Sequence, residues 1–153
     1  MADKEYFEDY EVGQKAISPA RTITEADIHT FAGLTGDWHP LHTDAEYAKN
    51  TMFGERIAHG MLVLAVGSAL QLRLGQYAAL PKYFIAFYGI DKVRFTNPVR
   101  IGDTIHSETE TIAAEPKDEN RGVLTAQSTI KNQRGEPCCM YTAKFLVARR
   151  PKS

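Results

Sequence analysis

Two side chains suited to exchanging protons near neutral pH, Asp37 and His42, stand five residues apart in Thr35-Gly36-Asp37-Trp38-His39-Pro40-Leu41-His42, the densest polar cluster of the chain. Pro40 fixes one φ angle and restricts His39 before it, so the segment is stiffened where a carboxylate and an imidazole would need a constant separation. An Asp and a His at this spacing also suit a capping carboxylate and a surface imidazole. What sharpens the reading is His59-Gly60-Met61, at the expected start of an apolar helix. Free amides at a helix N-terminus carry partial positive charge, and a glycine there lets a carbonyl oxygen approach the backbone, so Gly60 could stabilise an oxyanion. His39, His42, His59, Asp37 and Asp44 are also metal-ligand types, but their spacing matches no strong zinc pattern, and no metal is expected.

The elements that must position these groups are legible as patterns. From Ile57 to Leu72 there is no Asp, Glu, Lys or Arg, yet the stretch falls short of the ~20 residues of a membrane span. Ile57, Met61, Leu62, Leu64, Ala65, Ala69, Leu70 and Leu72 place apolar groups on nearly every side, which predicts a helix wrapped all round by protein. Thr24-Glu25-Ala26-Asp27 resembles a capping box, followed by Ile28, Phe31 and Ala32 on one stripe, and this helix should stop between Gly33 and Gly36. The polar cluster falls between that helix and a short helical piece at Asp44 to Asn50. A first strand is expected through Val12 to Ile17, and four more at 84–96, 104–114, 122–132 and 138–148, separated by Asn97-Pro98, Gly102-Asp103, Glu119-Asn120-Arg121-Gly122 and Arg134-Gly135-Glu136-Pro137. Strands separated by such turns form antiparallel hairpins.

With 153 residues the chain suits one domain, 1–153, without internal repeats. Its 18 Lys and Arg against 19 Asp and Glu give a net charge of -1, which removes any general attraction to nucleic acid. The opening MADKEYFEDY lacks the basic and apolar regions of a secretory signal, so the expected location is cytoplasmic, with no membrane association. Cys138 and Cys139 are adjacent; strand neighbours point to opposite faces, so an ordinary disulfide between them is excluded and both suit a reducing compartment.

One apolar helix embraced by a curved antiparallel sheet suggests an α+β hotdog fold, and its uncovered strand edges and apolar surface predict at least a homodimer. Three blocks resemble the MaoC-like (R)-specific enoyl-CoA hydratases and dehydratases of the hotdog superfamily: Gly36-Asp37-Trp38-His39-Pro40-Leu41-His42-Thr43-Asp44, Arg56-Ile57-Ala58-His59-Gly60-Met61-Leu62, and Phe95-Thr96-Asn97-Pro98-Val99-Arg100-Ile101-Gly102-Asp103. The resemblance runs through most of the chain from Phe7. It implies that Asp37 and His42 are the acid–base pair, that the Gly60 amide binds the thioester oxygen, and that Ser68 supports the site. His59 and His39 join Ser68 as expected substrate-binding residues. Relatives often carry Asn where His39 stands, a departure that touches the choice of substrate more than the reaction.

The implied reaction is syn addition of water to a 2-enoyl thioester of coenzyme A or acyl carrier protein, or its reverse, with no cofactor. A hotdog thioesterase and a non-catalytic acyl-CoA-binding dimer are the alternatives; release of free thiol distinguishes the first and binding without turnover the second. Acyl length, carrier and physiological direction are not legible. Arg73, Lys92, Arg94 and Arg100 are candidates for the coenzyme phosphates that spacing alone cannot rank, Trp38 fits either an acyl tunnel or the core, and His29 and His106 read as ordinary surface or strand residues.

Overall fold

The computed structural model describes residues 3–75 and 77–152. A 3-10 turn at Phe7–Asp9 leads into two short strands, β1 (Lys15–Ile17) and β2 (Arg21–Thr22), and then three helices, α1 (Glu25–Thr35), α2 (Pro40–Thr43) and α3 (Ala45–Lys49). The apolar helix α4 (Gly60–Leu70) continues as a 3-10 turn through Leu74. Four long strands follow: β3 (Phe84–Phe95), β4 (Thr104–Pro116), β5 (Arg121–Lys131) and β6 (Pro137–Ala148). The sheet order is β1-β4-β5-β6-β3, antiparallel throughout, with β2 beside β4. This is the expected hotdog arrangement, with α4 against the sheet. Among the described residues no helix is long and apolar enough to cross a membrane.

The local signals account for most boundaries. Thr24 caps α1, its hydroxyl accepting from the Asp27 amide while the Asp27 carboxylate accepts from the Thr24 amide, and Gly36 ends the helix at φ 80°. Asp44 caps α3 by accepting from the amides of Glu46 and Tyr47. Some elements differ from expectation. Val12 lies in a turn before β1, and β2 was not foreseen because two residues carry no periodicity. The apolar helix begins at Gly60, at the expected His59-Gly60-Met61 start, and leaves out the first residues of the apolar stretch: Ile57 forms an isolated bridge with Arg100, and the Ala58 amide donates to Val99 O at 2.8 Å. Tertiary pairing thus takes these residues away from the helix.

The core gathers Ile23, Ile28, Leu62, Val63, Ile105 and Ile130 with both cysteines, between α4, α1 and the sheet. Cys138 and Cys139 are buried free thiols, and burial pushes Cys139 up to about 11. Gly67 lets α4 approach β5: a Cβ there would overlap Ile130 Cδ1 and lie 2.6 Å from its Cγ1. The expectation that α4 is covered on every side does not hold within this chain. Leu62, Val63, Leu64, Gly67 and Leu70 are buried, whereas Met61, Ala65, Ser68 and Ala69 form an open stripe, with Met61 59% exposed. β3 is likewise a long edge strand, paired among the described residues only with β6, and it exposes Ile85, Phe87, Ile90 and Phe95.

Candidate active site

Between the αL turn at Gly36 and the cap of α3, the chain makes one further helical turn, α2, and His42 stands on it rather than in an irregular loop. Pro40 at its first position supplies a preset φ where no amide donor is needed. His39 caps it: its Nδ1 accepts from the Leu41 amide at 3.1 Å. His39 is exposed and edge-on to Tyr47 at 6.0 Å. The Thr43 hydroxyl donates to Trp38 O and His39 O, and the Asp37 amide donates to the Thr35 hydroxyl at 3.2 Å. The corner carrying Asp37 and His42 is therefore internally braced.

Three titratable groups meet there. Asp37, His42 and His59 each offer an atom within 4.8 Å of the others. His42 Nδ1 lies 2.7 Å from Ile57 O; a carbonyl only accepts, so Nδ1 carries the proton and, in the neutral ring, Nε2 is left as the free basic nitrogen. Burial pulls the His42 imidazole below its ordinary 6.5, and His59 and His39 act in the same direction, against the Ile57 carbonyl and the Asp37 carboxylate, which act the other way. Its neutral form therefore dominates at neutral pH. The segment carrying Ile57 is held by the Ala58 amide, which donates to Val99 O at 2.8 Å beside the Ile57–Arg100 bridge, and the Arg100 guanidinium donates to Phe53 O at 2.7 Å and Glu55 Oε1 at 2.8 Å. Of the four cations considered for coenzyme phosphates, Arg100 is thus engaged in holding the loop.

The same three residues could be imagined around a metal ion. The rings of His42 and His59, however, are stacked at 3.9 Å and inclined by 28°. An ion bound in the plane of one ring at ~2.1 Å would lie well outside the plane of the other, so the two imidazoles converge poorly as ligands.

The remaining expected residues occupy separate places. Gly60 opens α4, where first-turn amides have no helical acceptor, and it borders a cavity of about 260 Å³ with Phe95, Ile57 and Val63. The space its side chain would fill faces the exposed Phe95 ring, whose nearest atoms would be 3.0 Å from a Cβ, so a methyl there would press on that ring. Ser68 lies two turns further along and donates to Ala65 O at 3.0 Å. It borders a second cavity, of about 280 Å³, with Leu72, Phe87 and Tyr141, and is not gathered with Asp37 and His42 within this chain. Trp38 is exposed, its ring 6.3 Å from that of His29, and His106 pairs with Glu108 at 3.2 Å. The groups that the sequence did not disclose are backbone ones, above all the carbonyls of Ile57 and Asp37, for which no residue type gives a signal.

Comparison with known proteins agrees with this architecture. The model of the MaoC like domain matches residues 9–133. An (R)-specific enoyl-CoA hydratase of Rhodospirillum rubrum is 47% identical over 100 residues, covering 65% of each chain; one of Aeromonas caviae is 36% identical over 125 residues, covering 82% of this chain and 86% of the relative. The chain spans 65% of the Rhodospirillum relative and 29% of Protein MaoC from Klebsiella aerogenes, so it covers less than two thirds of the length of these two. A solved structure described as a monoamine oxidase regulatory protein from Archaeoglobus superposes with a TM-score of 0.90 at 44% identity, over 98% of both chains. By domain match and by fold, this chain belongs to the MaoC-like domain family.

Proposed function

We propose that this protein is an (R)-specific enoyl thioester hydratase, working equally as a 3-hydroxyacyl thioester dehydratase. The observation that carries the reading is the clustering of Asp37 and His42 on one braced corner, with His42 Nε2 left unprotonated by the Ile57 carbonyl. The names of the Rhodospirillum and Aeromonas relatives support the same reaction class.

In the hydration direction a water molecule sits between the Asp37 carboxyl and His42 Nε2. Its oxygen bonds to C3 of the enoyl group as His42 removes a proton; the C2–C3 π electrons move onto the thioester carbonyl oxygen; and the pair returns a proton to C2 from the same face. Addition is therefore syn. The amide of Gly60, one residue beyond His59, is the proposed donor to the developing oxyanion. No metal or organic cofactor takes part in this scheme, and the substrate is a thioester of coenzyme A or acyl carrier protein.

A homodimer belongs to the same proposal: the open stripe of α4 and the apolar edge strand β3 are both left without cover in the protomer. The direct test is hydration of crotonyl-CoA, followed by loss of thioester-conjugated absorbance. Asp37→Asn and His42→Ala should each lose at least 10²-fold in kcat while remaining folded; near-normal rates in either variant would exclude its role, and release of free thiol would favour a thioesterase.

A further inference from the structure

His59 is 2% exposed and is tied to both members of the proposed pair. Its ring is stacked on that of His42 at 3.9 Å and also meets the ring of Phe31, a residue of α1 packed on the core, at 4.8 Å and an inclination of 55°. Its Nε2 donates to the backbone carbonyl of Asp37 at 2.9 Å, across 22 residues of chain. The Asp37 carbonyl only accepts, so Nε2 carries the proton. His59 Nδ1 is buried and has no partner among the described residues, an unfavourable state that an ordinary packing residue such as Leu or Phe would avoid.

We propose that His59 is the positioning residue of this site: its ring fixes the orientation of His42 against the core, and its Nε2–H fixes the backbone that presents Asp37. The inference rests on the hydratase reading for its kinetic consequences and on geometry alone for its structural ones. A neutral imidazole combines, in one small ring, a flat face for His42 with an in-plane donor for Asp37; Phe keeps the first and Gln the second. The buried His59 ring also keeps water from the face of His42 on which it stacks. The other groups facing His42 are Asp37 and His39 from its own corner and the Ile57 carbonyl from the loop before α4. Replacing the ring with a smaller side chain lets water reach His42 and raises its titration midpoint.

The test uses the full chain with His59→Phe, His59→Gln and His59→Ala, each checked for folding by circular dichroism. NMR titration of the His42 imidazole provides a readout independent of activity. The midpoint should rise in the Gln and Ala variants and stay near wild type in the Phe variant. Hydration of crotonyl-CoA should lose on the order of 10²-fold in kcat for Ala, the effect of a ~1 Å misplacement. Phe and Gln should each recover part of that loss, with KM changing less than kcat. An unchanged His42 midpoint in the folded Gln and Ala variants would overturn the inference, and so would wild-type kcat in folded Ala. Should Asp37→Asn and His42→Ala retain full activity, the hydratase mechanism fails; the NMR midpoint then still decides the role of His59.

Discussion

Gly67 is where the helix and the sheet come closest, and replacing it by Ala separates two effects of opposite sign. In an exposed helix interior, Gly→Ala stabilises by roughly 1 kcal/mol through backbone entropy. Here the new methyl would overlap Ile130 Cδ1 and meet Cγ1 at 2.6 Å and Cγ2 at 3.1 Å. Ile130 is 0% exposed and β-branched, so its side chain has little room to turn away. Overpacking of this kind costs about 1–3 kcal/mol. Subtracting the propensity gain leaves a net loss of roughly 0–2 kcal/mol, with a central value near 1 kcal/mol. At about 2–4 °C per kcal/mol for a chain of this size, Tm should fall by roughly 2–4 °C at that central value. Thermal and urea unfolding of wild type, Gly67→Ala, Ile130→Val and the double variant measure this directly. Ile130→Val removes the overlapping Cδ1, so Gly67→Ala should be markedly better tolerated in that background, with a coupling of about 1 kcal/mol. A higher Tm for Gly67→Ala, or additivity within ~0.5 kcal/mol, would refute the reasoning.

Three other outcomes follow from the site and the surface. Because His42 must be unprotonated to take a proton, and burial holds it below 6.5, kcat/KM for hydration should fall on the acid side with a midpoint under that value; an acid limb above 6.5 would show that a different group sets it. With Cys139 pushed up to about 11 and both thiols buried, Ellman's reagent should leave the native protein unmodified at pH 7 and titrate two thiols after denaturation; rapid reaction before unfolding would contradict the packing. Substituting Ile85→Lys on the exposed edge strand should dissociate the proposed dimer in analytical ultracentrifugation, and an unchanged sedimentation coefficient would place the interface elsewhere.

Much of this protein is determined by local chemistry that one strand of sequence carries by itself. The capping box at Thr24 and Asp27, the αL stop at Gly36, the cap at Asp44 and the period-2 pattern of β6 each depend on residues within a few positions of one another, so they could be recognised without coordinates. Asp37 and His42 were legible for the same reason: they share one short corner stiffened by Pro40. Tertiary structure decided that Ile57 and Ala58, apolar enough for a helix, stay outside α4, because they find partners in Arg100 and Val99. It also decided which side of α4 stays open, since a helix apolar all round gives no sign of which stripe the protomer leaves uncovered. The role of His59 belongs to the same class: its stacking on His42 and its bond to Asp37 join segments 17 and 22 residues apart through a ring and a backbone carbonyl, and a carbonyl, present in every residue, leaves no mark on the sequence.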